Sequence, residues 1–181
     1  MEYFEIEGGH KLKGEILPQG AKNEALEILC ATLLTAETVT ISRVPDILDV
    51  VRLTELLALL GSEVTRVSKD TWTFNGKNID PERILDPAFR TLAQKLRGSF
   101  MILGPLIARF GKAWMPLPGG DKIGRRRVDT HLYGLKMLGA KFDYDAQEGF
   151  FKAWSDGRLK GTTMLLDEPS VTGTADRKSV V

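Results

Sequence analysis

Apolar residues recur along this chain in a pattern that repeats. In the first half, Ile47, Val50, Val51, Leu53, Leu57 and Leu60 follow helical spacing, with Asp46 placed to cap the start and Gly61 to end it. Val64 then opens a strand. Further on, Val128, Leu132, Leu135 and Leu138 trace a similar stripe, closed by Gly139, with Phe142 in the strand that follows. The two Leu-Gly pairs stand 78 residues apart. Upstream of each stripe lies a second matching element. Residues 22–35 predict a helix that is apolar almost all round, through Ala25, Leu26, Ile28, Leu29, Ala31, Leu33 and Leu34, leading into a strand at 38–41. Residues 92–110 predict its counterpart, carrying Phe100, Met101, Ile102, Leu103 and Ile107 and leading into a strand at 113–115. Ile28 and Ile102 correspond at a spacing of 74, and Pro105 predicts a kink in the second helix.

A third start is visible, because Leu12-Lys13-Gly14 recurs as Leu159-Lys160-Gly161, 147 residues later and close to twice 74. Each unit therefore reads as strand, buried helix, strand, amphipathic helix, then one or two strands. A helix that is apolar on every side must be covered on every side. The predicted architecture is α/β with helices inside and sheets outside. Two units and the opening of a third are present, whereas repeat arrays normally close or cap themselves. The expectation is an incomplete array over residues 21–175, preceded by strands at 1–20. After residue 175 the pattern calls for another apolar helix, but the chain reads Asp176-Arg177-Lys178-Ser179-Val180-Val181. Those six residues and a stop are the in-frame translation of a common sequencing-adapter read. Residues 176–181 are accordingly expected to be an artefact rather than part of the fold.

Hydrophobic residues make up 43% and charged ones 27%, the balance of a globular protein rather than a disordered one. A net charge of +1 gives no global pull toward nucleic acid or membrane, so any anion site must be local. Cys30 is the single cysteine, which excludes an intrachain disulfide, and its apolar setting predicts a small buried thiol. Residues 1–7 lack the basic and apolar regions of a signal peptide, and no apolar stretch approaches the ~20 residues of a membrane span. A cytoplasmic location is expected.

Three places hold residues suited to chemistry. Gln19-Gly20-Ala21-Lys22-Asn23-Glu24 is a glycine turn feeding a helix start, where free N–H groups and Lys22 would attract an anion; a solvated lysine is the plainer alternative. Arg97 precedes a strongly apolar face, so its guanidinium must snorkel, pair with a core carboxylate, or reach an anionic ligand. The stretch 117–129 joins three glycines to four cations within six residues, Lys122, Arg125, Arg126 and Arg127, with Asp121 beside them and a helix start after them. Such runs are often just solvated charge. Mobility, charge and a helix start together favour a phosphate-binding lid.

Gly20-Ala21-Lys22-Asn23, Leu117-Pro118-Gly119-Gly120, Ile123-Gly124 with Arg126, Val128-Asp129, His131 and the stretch Asp156-Gly157-Arg158-Leu159-Lys160-Gly161 resemble the landmarks of the UDP-N-acetylglucosamine enolpyruvyl transferases. The likeness runs from Met1 to Ala175 in the family's order. The shikimate-pathway enolpyruvyl transferase shares the fold but not these landmarks. The resemblance implies an enolpyruvyl-transferase-type inside-out α/β barrel built from repeated units, incomplete here, with residues 1–20 belonging to the second domain. It implies transfer of the enolpyruvyl group from phosphoenolpyruvate to the 3-hydroxyl of UDP-N-acetylglucosamine, the first committed step of peptidoglycan synthesis. No metal or other cofactor is implied, and no nucleic-acid or membrane partner. The fragment alone is expected to be inactive. A non-catalytic sugar-nucleotide-binding module is the competing class.

Carried over by position, the resemblance implies that Lys22, Asn23 and Arg126 hold phosphoenolpyruvate, Asn23 also touching the sugar. Arg97, Arg126, Arg127, Val128, Asp129 and Thr130 would bind the sugar nucleotide from one side. Glu168, Pro169, Ser170 and Val171 would bind it from the other. Asp121 would be the catalytic acid, standing where most members have cysteine, and that replacement implies resistance to fosfomycin. Arg127 stands where proline is usual and Thr172 where glycine is common.

Overall fold

The computed structural model describes residues 3–119 and 127–178. Its elements fall into two copies of one unit. The first is α1 (Lys22–Ala31), β1 (Thr38–Ile41), α2 (Leu48–Leu59), β2 (Glu63–Arg66) and β3 (Trp72–Asn75). A connecting stretch carries α3 (Pro87–Ala93). The second unit is α4 (Leu103–Phe110), β4 (Lys112–Pro116), α5 (Asp129–Met137), β5 (Lys141–Asp145) and β6 (Phe150–Trp154), and α6 (Val171–Lys178) follows. Each unit makes a three-stranded antiparallel sheet of the same order, β1-β3-β2 and β4-β6-β5. The registers match as well: Glu63 faces Asn75 in one sheet and Lys141 faces Trp154 in the other.

The sheets lie outside. The middle strands bury Phe74 in β3 and Phe150 and Ala153 in β6, while β2 and β5 are largely exposed. Between the sheets pack the helices, with Leu29, Leu53, Leu57, Leu60, Leu103 and Leu106 fully buried. Each such leucine contributes roughly 1.5–3 kcal/mol, against about 0–1 kcal/mol for a surface ion pair. Stability therefore resides in the helical interior, not in exposed pairs such as Lys112–Glu82.

The helix ends show why the Leu-Gly pairs recur. Gly61 and Gly139 adopt φ of 101° and 105°, which a side chain would strain. The chain then turns so that Ser62 and Ala140 donate back to the carbonyls of Leu57 and Leu135, each at 3.0 Å. Leu60 and Leu138 carbonyls, freed by the turn, accept from Asp80 and Lys160 N–H groups, each at 2.9 Å.

Two local expectations are corrected. Asp46 does not cap α2: the helix starts one residue later, Ile47 takes the cap position without a side-chain bond, and the Asp46 carboxylate pairs with Arg66 at 3.2 Å. Nor is 92–110 one kinked helix. It divides into the end of α3, a 3-10 turn at Arg97–Ile102 and α4. The Ser99 hydroxyl donates to the Leu96 and Ala93 carbonyls at 2.7 and 3.1 Å, taking acceptors that a continuous helix would use. Pro105 then falls in the first turn of α4, where its missing N–H costs nothing.

Residues 3–20 form no helix or strand, and Phe4, Leu12 and Leu17 are more than nine-tenths exposed. At the other end, α6 runs through Lys178 and Asp176 is buried. Residues 176–178 are thus built into the fold, against the expectation that 176–181 take no part in it, while residues 179–181 lie outside the described residues.

Candidate active site

The start of α5 is the meeting point. Arg127 lies two residues before the first residue of the helix and donates from Nε to both carboxylate oxygens of Asp129 at 2.9 Å. Its Nη2 also reaches Asp167 at 2.7 Å. These bonds, Asp129 first, hold the guanidinium more firmly protonated than usual and hold the Asp129 carboxyl below its ordinary range. Arg97 opens the 3-10 turn and donates to the Arg127 carbonyl at 2.6 Å. That placement answers the question its sequence position raised: the guanidinium leaves the apolar face and crosses to the α5 start. Thr130 is buried there, and its hydroxyl has no hydrogen-bond partner among the described residues.

The stretch 165–171 forms the opposite wall. On one side a cavity of about 510 Å³ is lined by Arg127, Asp129, Thr130, Leu132, Tyr133 and Asp167. On the other, an open groove of about 910 Å³ runs between this stretch and α1, at Glu27, Ile28 and Ala31. Ser170 caps α6, its hydroxyl accepting from the Gly173 N–H at 3.1 Å. Glu168 lies at the edge, 4.0 Å from Arg127.

Lys22 is the first residue of α1, half exposed, and pairs with Asp49 of α2 at 2.6 Å. Asn23 beside it is exposed. Helix α1 leans on the Arg97 turn, with Leu26 against Gly98, so the two candidate anion-binding places share one frame. Val128 is described and packs on the core. Asp121 and Arg126 lie outside the described residues.

Sequence reading overlooked four partners. Asp49 and Asp167 neutralise Lys22 and Arg127 across 27 and 40 residues respectively, separations that no local pattern signals. The other two are Thr172 and Asp176, which bond the buried ring of His131: Nδ1 lies 2.9 Å from Asp176 Oδ2 and Nε2 lies 3.0 Å from Thr172 Oγ1. A signal was available for these, since a histidine stood in an otherwise apolar helical stripe. Asp176 Oδ1 also accepts from the Gly104 N–H at 3.0 Å. Burial raises the Asp176 carboxyl above its ordinary range, opposed by the bond from His131.

This arrangement of repeated units with buried helices is the enolpyruvyl transferase fold. The structure resembles the enolpyruvyl transferase NikO from Streptomyces tendae, with a TM-score of 0.68 and 21% identity over 84% of this chain and 32% of that one. It also resembles EPSP synthase from Acinetobacter baumannii, with a TM-score of 0.66 and 15% identity over 91% of this chain and 37% of that one. The family model for EPSP synthase (3-phosphoshikimate 1-carboxyvinyltransferase) matches residues 6–176, and the chain belongs to that family.

Within it, the chain is 54% identical, over 97% of its length, to UDP-N-acetylglucosamine 1-carboxyvinyltransferase of Bacteroides thetaiotaomicron. It is 52% identical, over the same 97%, to the protein of that name from Porphyromonas gingivalis. The chain spans 40% of the length of both relatives. Among the described residues, no helix is long and apolar enough to cross a membrane.

Proposed function

We propose that the chain is the amino-terminal portion of a cytoplasmic UDP-N-acetylglucosamine 1-carboxyvinyltransferase, acting at the first committed step of peptidoglycan synthesis. The observation that carries this reading is the 54% identity, across nearly the whole chain, to a relative of that name. The gathering of Arg97, Arg127, Asp129 and Thr130 opposite 165–171 supports it, because two facing polar walls suit an extended anionic ligand. A 3-phosphoshikimate acceptor is less favoured, since the solved EPSP synthase is only 15% identical.

In this reading the sugar 3-hydroxyl gives its proton to a base and adds to C2 of phosphoenolpyruvate while C3 takes up a proton, giving a tetrahedral intermediate. Loss of a C3 proton and of phosphate then leaves the enolpyruvyl ether. Lys22 exchanges Asp49 for the donor's phosphate, and Arg126 holds its carboxylate, so fixed cations meet the charge that develops. Asp121 supplies the proton to C3 from the closed, loaded state, in which negative ligand charge and desolvation favour its protonated form. Arg127 and Thr130 bind the nucleotide with 168–171.

The complete protein, given phosphoenolpyruvate, should release phosphate with UDP-N-acetylglucosamine and not with 3-phosphoshikimate. Release only with 3-phosphoshikimate, or with neither, would overturn the assignment. The epoxide fosfomycin should leave the parent enzyme active and unlabelled by intact mass, whereas an active Asp121→Cys enzyme should gain one adduct and lose activity. An adduct on the parent would remove Asp121 from its role.

A further inference from the structure

His131 occupies a position that the fold does not need to be polar. Strand β5 follows β2 at an offset of 78 residues, as the Gly139 helix stop follows that at Gly61, and the same offset aligns His131 with Leu53. Leu53 is fully buried and apolar, while His131 is equally enclosed, at 3% exposure, and polar. One unit thus fills this place with a leucine, and the other accepts the desolvation of an imidazole and must satisfy both ring nitrogens. The partners chosen are informative. Asp176 accepts the Nδ1–H, which leaves Nε2 to accept the Thr172 hydroxyl. Phe100, three residues beyond Arg97, packs edge-on against the ring with centroids 5.1 Å apart. His131 therefore touches the three elements that carry the candidate nucleotide residues: the Arg97 turn, the first turn of α5, and the first turn of α6 just after Ser170 and Val171.

We propose that His131 is a positioning residue for the sugar-nucleotide site, acting through Thr172 to hold the start of α6 against the start of α5. The proposal rests on the functional reading above and deepens it. The Asp176 bond anchors the ring, and the Thr172 bond carries the positioning. The two arms are separable, because an asparagine amide at 131 reaches the place of Nδ1 and a glutamine amide reaches that of Nε2.

The complete protein and its His131→Asn, His131→Gln, Thr172→Val and Thr172→Ser variants should be compared by steady-state kinetics, calorimetric binding of UDP-N-acetylglucosamine and thermal melts. His131→Asn and Thr172→Val should raise the KM and Kd for the nucleotide by about tenfold, the worth of one buried hydrogen bond, with the KM for phosphoenolpyruvate nearly unchanged. The double variant His131→Asn with Thr172→Val should be no worse than either alone. Thr172→Ser should behave like the parent. His131→Gln should keep nucleotide affinity while its melting temperature falls, because it leaves the Asp176 carboxylate without the ring. Equal losses for both substrates, unchanged nucleotide affinity in His131→Asn and Thr172→Val, or a His131→Gln enzyme as weak for nucleotide as His131→Asn would overturn the positioning role. A parent that does not bind the nucleotide removes this role and the functional reading together; a parent that binds it while the variants bind equally well removes only the former.

Discussion

The two repeat units share a scaffold and differ most in one connection. From β1 to α2 the chain spends six residues, 42–47, and from β4 to α5 it spends twelve, 117–128. The offset between equivalent strands is 74 residues before this point, Thr38 to Lys112, and 78 after it, Glu63 to Lys141. The change of offset places a four-residue insertion where the glycines, the cations and Asp121 occur, and the rest of the longer connection comes from the later start of α5. The helices after the connection diverge in the same sense: α2 buries Val50, three leucines and a Thr54 bonded to its own helix, while α5 begins among Arg127, Asp129 and Thr130 and buries His131. Unit one contributes only the head of α1, with Lys22 and Asn23. A repeated core already satisfies the hydrophobic demand, so a loop between strand and helix can be lengthened and charged without disturbing packing.

The division of labour can be broken first at Lys22. Lys22→Ala in the complete enzyme should cost roughly 2–4 kcal/mol of transition-state stabilisation, read as a fall in kcat/KM, and Lys22→Arg should not restore it, because a planar fork replaces a point charge. Near-normal kcat/KM in Lys22→Ala would leave unit one with no chemistry at all.

A sharper comparison gives unit one the residue of unit two. Leu53→His buries an imidazole with neither of His131's partners, so denaturant melts should show a loss of about 3 kcal/mol with little change in the KM for phosphoenolpyruvate. A variant as stable as the parent would mean that the position tolerates polarity and that His131 needs no special partners.

The smallest effect lies at Asp176. Its native carboxyl is raised by burial, so the folded state binds the proton more tightly than the unfolded chain does, and the stability this provides is present in acid and lost as pH rises through the raised native value. Asp176→Asn keeps an oxygen for the Gly104 N–H and removes the charge. It should raise the melting temperature by a few degrees at neutral pH and by less near the ordinary carboxylate range. A parent melting temperature that rises with pH more steeply than that of the variant would reverse the assignment.

Residues within one element were legible before any coordinates. Alternation and helical spacing depend on neighbours a few positions away, so the two units, their Leu-Gly stops and the buried helices follow from order alone, as do the landmarks Lys22-Asn23 and Val128-Asp129. The breaks were harder to read. The stretch 92–110 has helical apolar content throughout, and only the capture of carbonyls by Ser99 divides it. Asp46 looked like a cap, and its carboxylate went instead to an arginine on β2. What tertiary structure alone decided is which charges meet: Lys22 with Asp49, Arg127 with Asp167, Arg97 with the Arg127 carbonyl, and His131 with Thr172 and Asp176. These pairs join elements 27 to 45 residues apart. Their formation depends on how the buried helices stack, and a single side chain's polarity carries no information about the partner that stacking will bring to it.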